Sequence, residues 1–547
     1  MKKVFLRALC FSILLWSTFI DVCLGQTSFE KIYATENYDV AQSLEITADH
    51  GFILVGVSGV TFDTCITDMI VTKCNVQGNI QWSNLYSMPS CEQGYDIKQT
   101  SDHGYVLAGA LVDFDGNKMV LMKIDSVGQI EWQKLFSSNG YDEISQLFSL
   151  PDGGFYMAGY RYNFSSYGYD VTFTRINSSG DVTWSKLYLT SGAEYGLIQI
   201  YDNGDNTYFL TCTNLEMTFP LNENFFLLHV DSSGNVITSR QYGASDTYEK
   251  GWGIIKISPD RYWMIGHSGE NGDALLFQID STGAVLWGKK YNDGTYSVDE
   301  SSMTSFFYIP EMGLFICGFD GFYNPYSFLL DKGDAFLFRV DDDGNVIWWK
   351  DYGDPQPWYW EAFFRMRVAS DGSLLMAGGR TINGNYDDQT GWDMYVVKTN
   401  QQGESGCEID MNVNVSDADV SMTEYAVVDS DLTLVETEAN FSVIPAATVT
   451  ALCESFPTAV SASSNENGIH IYPNLADAQI EIKESAELSS SEIRFYDLMG
   501  KEIFYSNKLA GPISISIVPT GFYLYTISSN QGMIVARGKI YIEHSDH

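Results

Sequence analysis

Apolar and polar positions alternate in short runs along most of the chain, and the runs return with a period of roughly fifty residues. One element reads Lys-Ile-Asp-Ser-Val-Gly-Gln-Ile-Glu-Trp at 123–132, and its glycine recurs as Gly78, Gly128, Gly180, Gly234, Gly283, Gly344 and Gly403. A second reads Asp-Gly-Gly-Phe-Tyr-Met-Ala-Gly at 152–159 and returns in the same register. Each period divides into four predicted strands. Strand A precedes the Asp-Gly-Gly turn, B is the Phe-Tyr-Met-Ala-Gly run, C is an alternating run such as 334–339, and D carries the tryptophan, as at 130–136. Short β-branched and aromatic runs between Asp/Gly turns are strands, and the turns need glycine where φ is positive. Four-stranded units repeated in this way predict an all-β chain with a seven-bladed β-propeller over residues 26–406.

The ends of the repeat predict how the ring closes. The last unit stops at Gly406 without a tryptophan strand, and Phe29-Glu-Lys-Ile-Tyr33 matches the missing one. The first mature strand is therefore expected to complete the last blade and hide sheet edges that would invite aggregation.

Beyond Gly406 the repeat is lost. Residues 407–462 read as a β-rich extension or spacer. From about Asn467 four motifs follow in order: Ile471-Tyr-Pro-Asn474, Asp497-Leu-Met-Gly-Lys501, Gly521-Phe-Tyr-Leu-Tyr-Thr-Ile527 and Gly538-Lys-Ile-Tyr-Ile542. Residues 463–547 thereby resemble the type A C-terminal sorting domain of the type IX secretion system of Bacteroidetes. The resemblance implies a small C-terminal β-sandwich that the secretion machinery recognises at the outer membrane. It also implies a passenger released or attached to the outer cell surface.

Composition narrows the partners. With 70 acidic against 31 basic residues the net charge is −39, so a nucleic-acid partner is excluded by repulsion. Aromatic residues make up 14% of the chain, too much apolar material for a disordered acidic protein. Lys2, Lys3 and Arg7 before the apolar run 8–20, then Cys23-Leu-Gly25, read as a signal peptide over 1–25. No later run is long enough for a transmembrane segment. In an exported chain Cys407 and Cys453 are the expected disulfide, with Cys65–Cys91 a second candidate, while Cys212 and Cys317 fall in apolar strands and read as buried thiols.

Catalytic chemistry is not spelled out. There is no CxxC, GxSxG, HExxH or phosphate-binding loop. No metal and no cofactor is expected. The tryptophan element resembles the Asp box of sialidases with one residue too many, and more closely the tryptophan repeats of quinoprotein-type propellers. That resemblance implies that Trp82, Trp132, Trp184, Trp287 and Trp348 pack between blades. Asp68, Asp170, Asp273, Asp334 and Asp393, with Asn117 and Asn224, begin strand C in successive units and read as structural caps rather than a calcium ring. His50 and His103 share a turn slot and are not a ligand pair.

The A–B and C–D turns share one face and are uniform. The B–C and D–A loops share the other, vary in length and are aromatic, and variable loops are where function is expected. The candidate ligand contacts there are Tyr160, Tyr162 and Tyr167; Tyr323 and Tyr326; Trp358, Tyr359 and Trp360; and Tyr386 and Trp392, suited to sugar rings or a protein hot spot. The expected function is a secreted or surface-attached, monomeric binding protein for a glycan or protein. A polysaccharide hydrolase or lyase and a purely structural scaffold are the alternatives.

Overall fold

A computed structural model describes residues 28–455 except 60–66, 89, 113–115, 139–140, 164–167, 191–192, 217–221, 244–248, 269–272, 293–301, 324–329, 354–359, 382–390, 412, 440 and 447, together with the strands of 470–542. The expected signal peptide lies outside the described residues. The chain divides into two compact units, 1–457 and 458–547.

The first unit is an all-β propeller built on the Asp-x-x-Gly turn. In all seven copies the leading Asp or Asn accepts N–H groups two and four residues on. Asp125 Oδ1 takes Val127 at 2.9 Å and Gln129 at 2.8 Å, and Asp341 takes Asp343 at 3.0 Å and Asn345 at 2.8 Å. The side chain thus does the work of a backbone carbonyl in tightening the turn. The turn glycine sits at positive φ in each copy, for example +82° at Gly128 and +73° at Gly344.

Five of the four-strand units form discrete sheets: 142–189, 193–243, 249–292, 302–352, and 361–399 completed by Ser28–Ala34. The repeat count predicted seven separate blades; five are separate. Units 38–87 and 91–137 are merged into one ten-stranded sheet. The cause is local: strand Cys91–Gln99 begins beside strand Thr67–Cys74, in a parallel bridge from Thr67 to Cys91, with the Thr67 hydroxyl donating to the Glu92 carbonyl at 3.1 Å. The N-terminal strand pairs antiparallel with Trp392–Thr399, from Phe29 opposite Lys398 to Tyr33 opposite Met394.

Residues 409–455 form a belt of short strands, each added to the outer edge of a D strand. Ile409–Asp410 pairs with Val346–Tyr352, Asn414–Asp417 with Val285–Asn292, and Ser421–Glu424 with Val236–Gly243. Val428–Asp431 then pairs with Val182–Leu189, Val435–Glu438 with Ile130–Ser137, and Ser442–Pro445 with Ile80–Ser87. Thr448–Ser455 finishes on the N-terminal strand. The belt visits every unit in reverse chain order and covers the row of backbone groups that an edge strand exposes.

Neighbouring units are pinned by D-strand aromatics. Six D-strand tyrosines donate to the turn-glycine carbonyl of the next unit: Tyr33 to Gly78 (2.7 Å), Tyr86 to Gly128 (2.8 Å), Tyr188 to Gly234 (2.8 Å), Tyr242 to Gly283 (3.1 Å), Tyr291 to Gly344 (2.8 Å) and Tyr352 to Gly403 (2.6 Å). The D-strand tryptophans lie over the same turns. A Cβ added at Gly180 would stand 2.7 Å from the Trp132 ring, and one at Gly403 2.8 Å from Trp348. These glycines are fixed twice, by φ and by the ring above them.

The second unit holds a five-stranded sheet made of Leu475–Ala476, Ile534–Ile542, Gly521–Ser528, Glu492–Tyr496 and Glu502–Ser506. A three-stranded sheet of His470–Tyr472, Gln479–Lys483 and Ile513–Ser514 belongs to the same unit. Ile493, Phe495, Ile515 and Ile527 are buried in it.

Phe136 occupies the tyrosine position of its D strand and is fully buried. Tyr188→Phe is expected to cost about 1–2 kcal/mol by orphaning a buried carbonyl. Phe136→Tyr is expected to gain about 0.5–1.5 kcal/mol by adding the missing bond. Denaturant unfolding of the two variants beside the parent checks both signs.

Candidate functional site

The antiparallel order places A-strand starts, B-strand ends, C-strand starts and D-strand ends on one face, and two aromatic clusters lie there. In the first, Tyr160 lies in the B strand Phe155–Asn163, and its hydroxyl donates to Glu143 Oε2 at 2.5 Å, while Asn117 Nδ2 donates to Glu143 Oε1 at 2.7 Å. Burial, then the neighbouring Glu143, pushes the Tyr160 phenol far above its ordinary value. Tyr169 packs edge-on against both Tyr160 (4.9 Å) and Tyr162 (5.1 Å), and Tyr141 joins Tyr162 at 6.4 Å. Tyr141 is exposed, and Tyr160, Tyr162 and Tyr169 are half-buried.

In the second cluster Trp360 and Trp392 meet edge to face at 4.7 Å, flanked by Phe319 (5.4 Å from Trp360) and Tyr38 (6.2 Å from Trp392). Trp392 is only 7% exposed and lies against Gly379, where a Cβ would stand 2.7 Å from its ring. The missing side chain of Gly379 leaves room for the ring against the sheet face. Trp360 is half-buried, with its backbone tied to Thr381 at 2.8 Å and 2.9 Å. Tyr323 ends strand Gly313–Tyr323. Tyr167, Tyr326, Trp358, Tyr359 and Tyr386 lie outside the described residues.

The same face buries acids between units. Asp39 caps the preceding turn, accepting the Thr35 N–H at 2.5 Å and its hydroxyl at 2.8 Å, and Asp142 repeats this with Ser138 at 2.7 Å and 2.6 Å. Glu361 is ion-paired to Arg380 at 3.1 Å. Glu92 is fully buried, and among the described residues no side chain hydrogen-bonds its carboxylate. Burial, with Asp68 nearby, pushes its carboxyl up to about 8. Burial and the approach of Asp39 push Asp393 up to about 7. Among the described residues no three His, Cys, Asp or Glu side chains are grouped to hold a metal. Cys74, Cys212 and Cys317 are buried thiols, and Cys91 and Cys407 are disulfide-bonded.

A third arrangement lies on the axis, where the A strands face one another. Six of them carry a one-residue bulge at the same level, at Gln42, Tyr95, Ser145, Trp252, Thr304 and Phe364, and the seventh has a longer irregularity between Tyr195 and Gln199. Bulges re-aim side chains. Here they surround a small space of about 10 Å3, lined by Ser145, Gln146, Ile198, Gln199, Trp252, Thr304 and Arg365. Asp96 ties three A strands together. It accepts Ser43 Oγ at 2.7 Å, Lys98 Nζ at 2.9 Å and the Leu147 N–H at 2.9 Å. Burial alone would raise its carboxyl, but Lys98, Arg365 and Arg367 hold it at about 2. Glu45 pairs with Arg367 at 3.3 Å and with Lys98 at 3.7 Å. Sequence reasoning missed this site. The only signal was a polar or aromatic residue at the same position of successive A strands.

Glu92 and Asp393 bind protons more readily folded than unfolded, where a carboxyl titrates near 4. Their contribution to stability is therefore full below that value and is lost as pH rises through about 7 and about 8. The melting temperature is expected to fall from about pH 4.5 to about pH 8, and Glu92→Gln with Asp393→Asn to flatten that decline. Thermal melts across pH check it.

Among curated proteins none matches the sequence. Three solved structures share 8–10% identity with the chain. Sqt1 from Chaetomium thermophilum matches with a TM-score of 0.37, covering 72% of this chain and all of that one. The NanB sialidase of Streptococcus pneumoniae matches at 0.34, over 68% and 70%. PorZ, a surface component of the type IX secretion system of Porphyromonas gingivalis, matches at 0.20, over 92% and 93%. Likeness at this level carries no functional argument. Residues 470–543 match the family described as the secretion system C-terminal sorting domain. No helix among the described residues is long and apolar enough to cross a membrane. The sorting domain implies an interaction with the type IX secretion machinery and marks this propeller protein for export, to be secreted or held at the cell surface.

Proposed function

We propose that the protein is a non-catalytic, monomeric binding protein whose B–C/D–A face takes a neutral glycan at the outer cell surface. The observation that carries this reading is the tyrosine group Tyr141, Tyr162 and Tyr169, stacked edge to face and left accessible on the loop face. Rigid rings with polar tips offer area for a sugar at little entropic cost. The acidic surround disfavours polyanionic glycans and leaves uncharged ones. Trp360 extends the same chemistry at a second point.

Finer readings accompany it. The ten-stranded sheet counts as two blades, giving a seven-unit ring locked by quinoprotein-like tryptophan repeats. The two sheets of 470–542 form a β-sandwich, and residues 1–25 are a cleaved signal peptide. Cys65 joins Cys91. Cys407 joins Cys453: the backbone of Cys453 lies opposite Glu30, and Glu30 Oε1 accepts the hydroxyl of Ser405, two residues before Cys407.

A neutral-glycan array probed with the mature chain is expected to show binding that Tyr162→Ala with Tyr141→Ala weakens at least tenfold, about 1.4 kcal/mol or more. An array silent for the parent, or unchanged in the variant, removes the reading.

A further inference from the structure

We propose, resting on the Cys407–Cys453 pairing put forward above, that this bond closes the belt into a covalent hoop and clamps the strand on which the ring itself closes. Cys407 is disulfide-bonded, whereas Cys74, Cys212 and Cys317 are buried thiols. Cys91, also bonded, begins its strand opposite Thr67, two residues after Cys65, and belongs with that neighbour. With the leader 1–25 removed, Cys453 is left for Cys407. The backbone agrees. Strand Thr448–Ser455 sets Cys453 opposite Glu30. Glu30 accepts the Ser405 hydroxyl at 2.6 Å, and the Ser405 oxygen accepts the Cys407 N–H at 3.3 Å. Making the bond takes two protons and two electrons from the two thiols. In an exported chain a protein disulfide accepts them and is left as a dithiol.

The place of the bond gives it its effect. Ser28–Ala34, the strand that closes the ring, lies between Trp392–Thr399 of the last unit and Thr448–Ser455 of the belt. Cys407 follows the first of these flanking strands, and Cys453 lies in the second. The bond therefore reaches across the closing strand and ties its two flanks together. Phe29 and Tyr33 of that strand are buried, and the Tyr33 hydroxyl holds the seam to Gly78 at 2.7 Å.

The rest of the belt is weakly held. Ile409–Asp410, Asn414–Asp417, Ser421–Glu424, Val428–Asp431 and Ser442–Pro445 are two to four residues long, and most of their side chains are exposed. Strands of this kind open locally at little cost. The ion pairs Lys350–Asp410 (2.7 Å), Lys186–Asp431 (2.9 Å) and Lys134–Glu436 (3.0 Å) join D strands to belt acids that face solvent, where each pair adds little. A belt with a free end would peel from Thr448–Ser455 and bare the closing strand first. A closed loop has no end to peel from. It is paired to a D strand of every unit, so a unit that swings outward must strain the whole loop. A hoop of this kind acts on the native side of the barrier and slows unfolding. An ordinary cross-link that only restricts the unfolded chain changes the folding rate instead.

Peptide mapping of the mature chain without reductant is expected to recover Cys407 linked to Cys453. Cys407→Ser with Cys453→Ser removes the bond and leaves no thiol to scramble. In that variant the unfolding rate in guanidinium is expected to rise at least tenfold, and the backbone amides of residues 29–33 to exchange hydrogen at least tenfold faster. Where the variant is not recovered folded, dithiothreitol added to the folded parent gives the same two readings, with mapping to follow loss of the Cys407 link. Cys407 linked elsewhere refutes the pairing and the hoop together. The expected link with an unchanged unfolding rate, or with unchanged exchange at 29–33, overturns the hoop alone and leaves the pairing standing.

Discussion

Everything else in the propeller depends on one contact, the D-strand aromatic laid on the glycine turn of the next unit. It couples a local device to a long-range one. The Asp-x-x-Gly turn closes a hairpin within a unit through its own side chain. The glycine it needs for positive φ is also the bare surface on which the preceding unit's tryptophan rests. The tyrosine two turns of the pleat further on then takes up the glycine carbonyl. A substitution that spoils the turn therefore spoils the seam. Where the tryptophan is replaced, as at Thr238 in unit 193–243, the guanidinium end of Arg240 covers Gly283 instead. The seam tolerates a change of side chain more easily than a change of glycine.

This coupling explains which parts of the fold were legible in the sequence. Turn, strand type and seam are written in residues a few positions apart and then repeated, so Gly128, Trp132 and their equivalents announced the units. Phe29–Tyr33 could be assigned to the last unit because it carries the same D-strand pattern. The merged sheet was not legible, since it depends on one bridge between Thr67 and Cys91. The belt was not legible either. Strands such as Val428–Asp431 and Ser421–Glu424 are four residues long and rich in acid. They hold their place by backbone pairing with partners hundreds of positions earlier.

The site divides along the same line. Tyr160 and Tyr162 stood out as aromatics at the end of a B strand, and they do share a cluster through Tyr169. Trp392 stood out equally and is buried, because the glycine that receives it lies on the neighbouring strand rather than beside it in sequence. The axial group assembles from A strands at opposite ends of the chain. Asp96 and Arg365 mean little separately and acquire meaning only when the ring brings their two strands close enough for the guanidinium to hold the buried carboxylate ionised.

The reverse order of the belt bears on how the protein is made. Its strands can dock only on D strands already in place, and the last of them needs the N-terminal strand to be seated in the final unit. Until residue 455 has been delivered, the outer rims remain open templates for pairing with other chains. A chain emerging from its N-terminus thus keeps its most adhesive surfaces uncovered for most of its synthesis. A truncation just short of the belt would leave a ring with every rim bare, prone to stick rather than to unfold.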